Sequence, residues 1–483
     1  MSARRRALIL SLALALRLFV ALARTDRHWH DEHYQTLEPA YFIVHGHGVL
    51  TWEWLHGFRS WLLPLAHVPL VAIAALFGAN GGLAVTLFVR AVYAVADLVV
   101  LARFAEFAIA RRPFDDERRR ARAHALALSA LLLLPTITLW SASSLQDHLA
   151  SLLFYGAIPT VFRAIESDRP SRWALAGALL ALPVTIKLQC APLSLGAMIT
   201  AVFARSTARR APLATALALG SLSVALVSAL VDQWTIGSFA ASTIRQLAYG
   251  EPLSRTYGTA PPWRYLTALP ELIGYDGLAL VLALAALSLS RARPGPRALD
   301  PVSLVAPGAL ALLVALSAIP HKEPRFALPI VPVLIVSLFN RRSIARLDAL
   351  PSRLAAPALV AVALWSLSTV TTQRIELSDS DVSQLEERVR RARPSADRPV
   401  SLCLFGPHGS QLRGALGVGG PVRYLDALAF DRPETALRQC DFALVRRARS
   451  APFEAARRAD PRRWSVDGPK QNQCTLYRAS ANR

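Results

Sequence analysis

Leu83–Ala110 reads LAVTLFVRAVYAVADLVVLARFAEFAIA and is followed at once by RRPFDDERRRAR over Arg111–Arg122. About 20 predominantly apolar residues cross a bilayer as a helix, so the first stretch is long enough to span one and the second is a compact basic stop. The same alternation recurs along the chain. Apolar runs lie at Leu8–Ala23, Leu126–Trp140, Leu213–Val231, Leu278–Leu289, Leu304–Ile319 and Ile330–Phe339. Basic blocks lie between them, at Arg4–Arg6, Arg163–Arg172, Arg205–Arg210, Arg291–Arg297 and Arg341–Arg353. Of the 483 residues 53% are hydrophobic and only 18% charged, against roughly a quarter charged in soluble domains. A cytosolic enzyme, a coiled coil and a disordered chain are excluded, and an all-α polytopic membrane protein remains.

The net charge of +21 would suit a nucleic-acid binder if it formed a stripe on a soluble unit. It sits instead in short gaps between apolar runs, which marks the cytoplasmic side of a membrane, and no nucleic-acid partner is expected. All the arginine blocks fall inside only if Trp61–Phe77, interrupted by Pro64, His67 and Pro69, lies in the interface or re-enters without crossing. About eleven crossings then follow, near 7–23, 82–104, 122–140, 147–165, 173–189, 191–205, 212–231, 276–290, 302–319, 324–340 and 354–371. Residues 24–81 form a large first outer loop, 232–275 a second, and 1–371 the membrane domain. From 372 to 483 the composition turns polar, and Val400–Leu404, Phe442–Val445 and Cys474–Tyr477 read as short strands of a small outer α/β domain. Cys403, Cys440 and Cys474 lie there; one disulfide among them suits an oxidising compartment, with the pairing left open.

The segment richest in chemistry is Trp29–Ser60, WHDEHYQTLEPAYFIVHGHGVLTWEWLHGFRS. By composition it reads as a solvated loop with interfacial tryptophans. His30 and His33 with Asp31 and Glu32 would be metal ligands by type, but their spacing matches no established closed site, and no metal is expected. The segment resembles the first outer loop of the alpha-mannosyltransferases of N-glycan and GPI-anchor assembly, glycosyltransferases of the GT-C class. Those read His-Pro-Asp-Glu-x-Phe-Gln, then Glu-Pro, Tyr-Gly-x-Gly, Thr-Trp-Glu-Trp/Tyr and Arg-Ser-Tyr. The matching pieces are His30, Asp31, Glu32, Gln35, Glu38-Pro39, Gly46 to Gly48, Thr51 to Trp54 and Arg59-Ser60. PHKEPRFALP at Pro320–Pro329 resembles the family's His-Lys-Glu-x-Arg-Phe. YGTAPPWRYLTALP at Tyr257–Pro270 resembles its Tyr-Gly-x-x-Pro-Trp followed by a Tyr and a Leu-Pro. Both fall on the outer face of the charge-derived topology. The chain departs from the pattern at His30, which replaces a proline, at Gln146-Asp147, near the family's Asn-Ser-x-Glu, and at Lys187, where an Arg-Pro pair is usual.

The resemblance implies a GT-C fold and an inverting transfer of mannose, or a similar hexose, from a polyprenyl-phosphate sugar to a hydroxyl of a glycan or glycolipid acceptor. Such a reaction needs one carboxylate to take the hydroxyl proton and cations to meet the departing phosphate. It places the base at Asp31, with Glu32 as alternate or acceptor-orienting group, and the phosphate contacts at His321, Lys322 and Arg325, with Arg59 a further contact. His30, Gln35, Glu38, Trp52, Glu53, Asp232, Tyr257 and Lys187 are weaker substrate-binding candidates. No cofactor is expected, because the lipid-linked sugar is itself the activated substrate. High arginine and alanine usage with little lysine fits a GC-rich bacterial gene, hence the inner membrane with a periplasmic active site. A transporter or lipid flippase is the rival reading, though no internal repeat supports it. Within enzymes, transfer of arabinose or aminoarabinose stays open.

Overall fold

A computed structural model describes residues 1–23, 30–77, 82–256, 258–274, 278, 281–282, 299–348, 388–389, 391, 400–405, 422–426, 433–446, 450–460, 464–466 and 474–479. Among the described residues four helices are long and apolar enough to cross a membrane: Ala84–Ala110, Gln146–Ile165, Thr207–Ile236 and Pro301–Ala318. Shorter apolar helices cover Leu62–Leu76, Pro170–Ile186, Leu188–Phe203 and Pro324–Leu338. Of the expected crossings, 276–290 lies largely and 354–371 wholly outside the described residues. The chain divides into two compact units, one of Met1–Ala21, Gly57–Ser60 and Ala91–Gln373, the other of Leu22–His56, Trp61–Arg90 and Arg374–Arg483.

In the first unit, glycines let helices approach closely. A Cβ on Gly177 would lie 2.0 Å from the Leu217 carbonyl oxygen, and one on Gly220 would lie 1.8 Å from that of Ala174. The Pro170–Ile186 and Thr207–Ile236 helices therefore touch backbone to backbone, as lipid-embedded helices do when no hydrophobic effect drives them together. Leu219, Leu222, Leu226, Leu230 and Trp234 on Thr207–Ile236 are exposed, the composition of a lipid-facing side. The expected single crossing at 122–140 is two helices, Glu117–Leu133 and Pro135–Trp140, because Pro135 has no N–H to continue the ladder. Likewise 324–340 begins as a 3-10 stretch, Pro324–Ile330, before Val331–Leu338 resumes as α-helix. There the Tyr155 hydroxyl donates to the Pro329 carbonyl at 2.6 Å and accepts from the Val333 N–H at 3.2 Å, bridging the gap in a buried backbone that has no water to turn to. Not every residue of the basic blocks is a free charge. Arg112 is buried, pairs with Asp300 at 3.3 Å and donates to the carbonyls of Val336 and Phe339.

In the second unit, residues 400–479 carry five strands in the order β2-β1-β3-β5-β4: β1 Val400–Phe405, β2 Val422–Asp426, β3 Phe442–Arg446, β4 Trp464–Val466 and β5 Cys474–Ala479. β1 pairs in parallel with β2 and β3, while β5 runs antiparallel to β3 and β4. Cys403 on β1 forms a disulfide with Cys440 just before β3, inside a core that also holds Leu437, Phe453 and Trp464. Cys190 is a buried free thiol.

Candidate active site

The motif segment begins in short helices and is buried from Glu32 to Tyr41, which corrects the solvated-loop reading for that stretch. His30–Glu32 and Glu38–His45 are α-helical and His33–Leu37 between them is a π-turn. The cause is Pro39, which cannot donate and whose ring crowds the carbonyl four residues back, at Gln35. Single π-turns of this kind concentrate at functional sites. From Glu32 to Tyr41 every residue is buried.

That burial obliges each polar group to find a partner, and the partners sort the carboxylates. Glu32, 4% exposed, receives Arg90 in a two-pronged pair, Nε to Oε1 at 3.3 Å and Nη2 to Oε2 at 3.2 Å. Glu38 accepts the Val49 N–H at 2.7 Å and stands 3.3 Å from His33 Nε2. Its charge, together with burial, pushes the Tyr41 phenol up to about 12. Glu53 accepts from Gln35 Nε2 at 3.1 Å, and the Trp54 indole donates to the Tyr34 carbonyl at 2.8 Å. Asp31 is partly exposed. The buried members of the motif are thus engaged in holding the segment, and Asp31 is the carboxylate set at its accessible edge. Trp52 remains partly exposed. The side chain of His30 lies outside the described residues, as does Tyr257.

The other predicted residues belong to the first unit. His321 Nε2 lies 2.8 Å from Glu323 Oε1, and Arg325 Nε lies 2.6 Å from Glu323 Oε2, so one carboxylate sets both side chains. Lys187, at the break between two helices, stands 3.3 Å from Asp147 Oδ1 and 4.7 Å from the Phe326 ring centroid; Arg325 approaches the same ring at 5.5 Å. The structure therefore brings Lys187 to the His321 and Arg325 group. Lys322 is engaged differently. Its ammonium donates to the carbonyls of Ala260, at 2.9 Å, and Ile319, and desolvation lowers its pKa. With the Ala260 N–H donating to the Pro320 carbonyl at 3.0 Å, it ties the backbone at Ala260 to the Pro320 turn. Arg59 donates to Gln146 Oε1 at 2.7 Å. Asp232 Oδ2 accepts the N–H and hydroxyl of Ser242, which anchors the start of the Ala241–Thr256 helix.

Gln146, Asp147 and His148 open one helix and each meets a different element. Gln146 meets Arg59 and Asp147 meets Lys187. His148 Nε2 lies 2.9 Å from Asp97, whose other oxygen receives Arg17 at 2.9 and 3.0 Å. Arg17 is fully buried and also donates to the Leu132 carbonyl. Sequence reading met Tyr265 only as a letter of the Tyr257–Pro270 motif, and it passed over Arg17, Arg90, Asp97, and Asp147 as Lys187's partner. The available signal was the charge inside an apolar span, since ionisable residues there pair with one another or serve a site. Among the described residues no group of three or more His, Cys, Asp or Glu could hold a metal ion.

Comparison with solved structures gives the fold. ArnT from Cupriavidus metallidurans, bound to undecaprenyl phosphate, matches with a TM-score of 0.65 over 99% of this chain and 98% of its own, at 11% identity. The arabinofuranosyltransferase AftD from Mycobacteria matches with a TM-score of 0.56 over 100% of this chain and 40% of its own, at 16% identity. In sequence, GPI mannosyltransferase 3 of Yarrowia lipolytica is 29% identical over 364 residues, 68% of this chain and 60% of that protein. The Drosophila melanogaster GPI mannosyltransferase 3 is 25% identical over 406 residues, 82% and 67%. The chain thus spans about 60% to 67% of the length of these relatives. The first-loop carboxylates and the Pro320–Pro329 cations both lie within residues 8–407, the stretch matched by the model of the Alg9-like mannosyltransferase family, and the chain belongs to that family.

Proposed function

We propose that the protein is an integral membrane mannosyltransferase that moves mannose, or a similar hexose, from a polyprenyl-phosphate carrier to a hydroxyl of a lipid-linked glycan, with inversion. The observation that carries this reading is the exposure of the first-loop carboxylates. Glu32 is buried against Arg90, while Asp31 beside it is partly exposed, next to the buried run Glu32–Tyr41. Asp31 takes the proton as the acceptor oxygen bonds to the anomeric carbon. The bond from that carbon to the phosphate oxygen breaks, and the phosphate leaves with the electron pair. His321 and Arg325 are the cations for that charge, Lys187 a further one, and Lys322 holds their turn in place. A lipid phosphate leaves without a metal's help in this scheme. The family supports the chemistry, the relatives' names support mannose, and the bound undecaprenyl phosphate of the ArnT structure supports a polyprenyl carrier.

The arginine blocks between apolar runs favour an active site on the outer face of the cytoplasmic membrane. The Cys403–Cys440 disulfide favours the same oxidising side for the C-terminal sheet. The test is transfer from radiolabelled polyprenyl-phosphate mannose to a panel of lipid-linked glycans by detergent-purified protein. Label transferred by the parent and lost in Asp31→Asn supports the scheme. Undiminished transfer by Asp31→Asn removes the base, and rescue by manganese after exhaustive chelation removes the metal-free step.

A further inference from the structure

Tyr265 lies in the short Arg264–Thr267 helix and is only 2% exposed. Its hydroxyl has no hydrogen-bond partner among the described residues. A buried hydroxyl without a partner carries a desolvation penalty that a bound molecule can remove. The surroundings say what kind of molecule. Burial, then the charges of Asp147 and Glu323, raise the phenol's pKa, so it stays protonated and able to donate. Asp147 is itself buried and paired with Lys187, and Glu323 is paired with His321 and Arg325. Lys187 and Arg325 both approach the Phe326 ring. Lys187, Asp147, His321, Glu323 and Arg325 thus gather about Phe326, and Tyr265, in the same unit, lies within reach of the charge of both carboxylates.

A ligand atom meeting this phenol must accept a hydrogen bond while carboxylates stand close by. An ionised phosphate oxygen can accept, but it has no hydrogen to give a carboxylate. A sugar hydroxyl can accept from Tyr265 and donate its own hydrogen to a carboxylate, so its two needs match the two kinds of group present. We propose that Tyr265, with Asp147 and Glu323, reads a hydroxyl of the donor's hexose and is a specificity-determining residue. This rests on the proposed function, which supplies the lipid-linked hexose and gives the adjoining cations to its phosphate.

The experiment compares binding of polyprenyl phosphate and polyprenyl-phosphate mannose to the purified full chain and to Tyr265→Phe. The parent should hold the mannose-bearing lipid more tightly than the bare phosphate. Tyr265→Phe should lose about tenfold for the mannose-bearing lipid with the bare phosphate unchanged. Because the substitution deletes a hydroxyl that bonds nothing among the described residues, its unliganded thermal midpoint should equal or exceed the parent's, which controls for folding. Among mono-deoxy mannose donors, one should bind parent and variant equally, since the hydroxyl that Tyr265 reads is already gone. Equal loss on both lipids would make Tyr265 a phosphate contact and overturn the proposal. No loss on either, or no preference for the sugar by the parent, would overturn it too. Failure of the parent to bind either lipid would instead sink the donor assignment, and that shows before any substitution is made.

Discussion

Arg90→Leu should destabilise the protein far more than its single altered side chain suggests. Arg90 and Glu32 are 5% and 4% exposed and meet through two contacts of 3.2 and 3.3 Å. Removing the guanidinium strands a carboxylate away from water, a loss on the order of 3 to 5 kcal/mol when one partner of a buried pair is deleted. Replacing both by apolar side chains, Arg90→Leu with Glu32→Leu, removes the stranded charge and should recover most of that loss, because a buried pair taken out whole costs little. The assay is the thermal unfolding midpoint of nanodisc-embedded protein for the parent, both single variants and the double. The single arginine variant should melt several degrees early and the double should lie near the parent. A single variant as stable as the parent, or a double no better than the single, would refute the view that Arg90 serves to neutralise Glu32.

The Tyr155 hydroxyl bridges Pro329 and Val333, so Tyr155→Phe should cost about 1 to 3 kcal/mol in unfolding, whereas Tyr265→Phe should cost nothing; equal effects would contradict the distinction between a satisfied and an orphaned phenol. Breaking the Cys403–Cys440 disulfide, which spans 37 residues, should weaken the sheet by about 3 to 4 kcal/mol through the freedom returned to the unfolded chain. Limited proteolysis with and without reductant checks this, and unchanged protection would count against it. Burial, with the charge of His47 adding to it, holds the pKa of His45 below its ordinary 6.5. Between that lowered value and 6.5 the unfolded chain binds the extra proton, so this contribution is present above 6.5 and is lost as pH falls through the window. The melting midpoint should therefore drop from about pH 7.5 to about pH 5.5, less steeply in His45→Asn; identical slopes would remove His45 from the cause.

Membrane character was legible from sequence because a bilayer leaves few choices. Apolar runs of spanning length and arginine blocks between them are one-dimensional patterns, readable without contacts. The first-loop motif was legible for a similar reason, since its pieces follow one another in order over about 30 residues. Breaks at Pro135 and Pro324 were visible as letters, yet their outcome was not. Whether a proline ends a helix, tightens it to 3-10 or widens it to a π-turn depends on who takes the freed carbonyl, and at Pro329 that is Tyr155, 174 residues away.

Composition by itself determined that the chain is helical and membrane-bound, and local motif order pointed to the Asp31-Glu32 pair and to the His321 to Arg325 turn. Tertiary structure alone decided how deeply these charges are buried and which distant segments meet them. Glu32 is taken by Arg90 across 58 residues, and Lys187 joins Asp147 across 40. Lys322 is turned onto backbone carbonyls, and Tyr265 is buried with its hydroxyl unanswered. The physical reason is that a charge removed from water must be paired. Its partner is chosen by the folded packing of distant segments, which no local pattern of letters encodes.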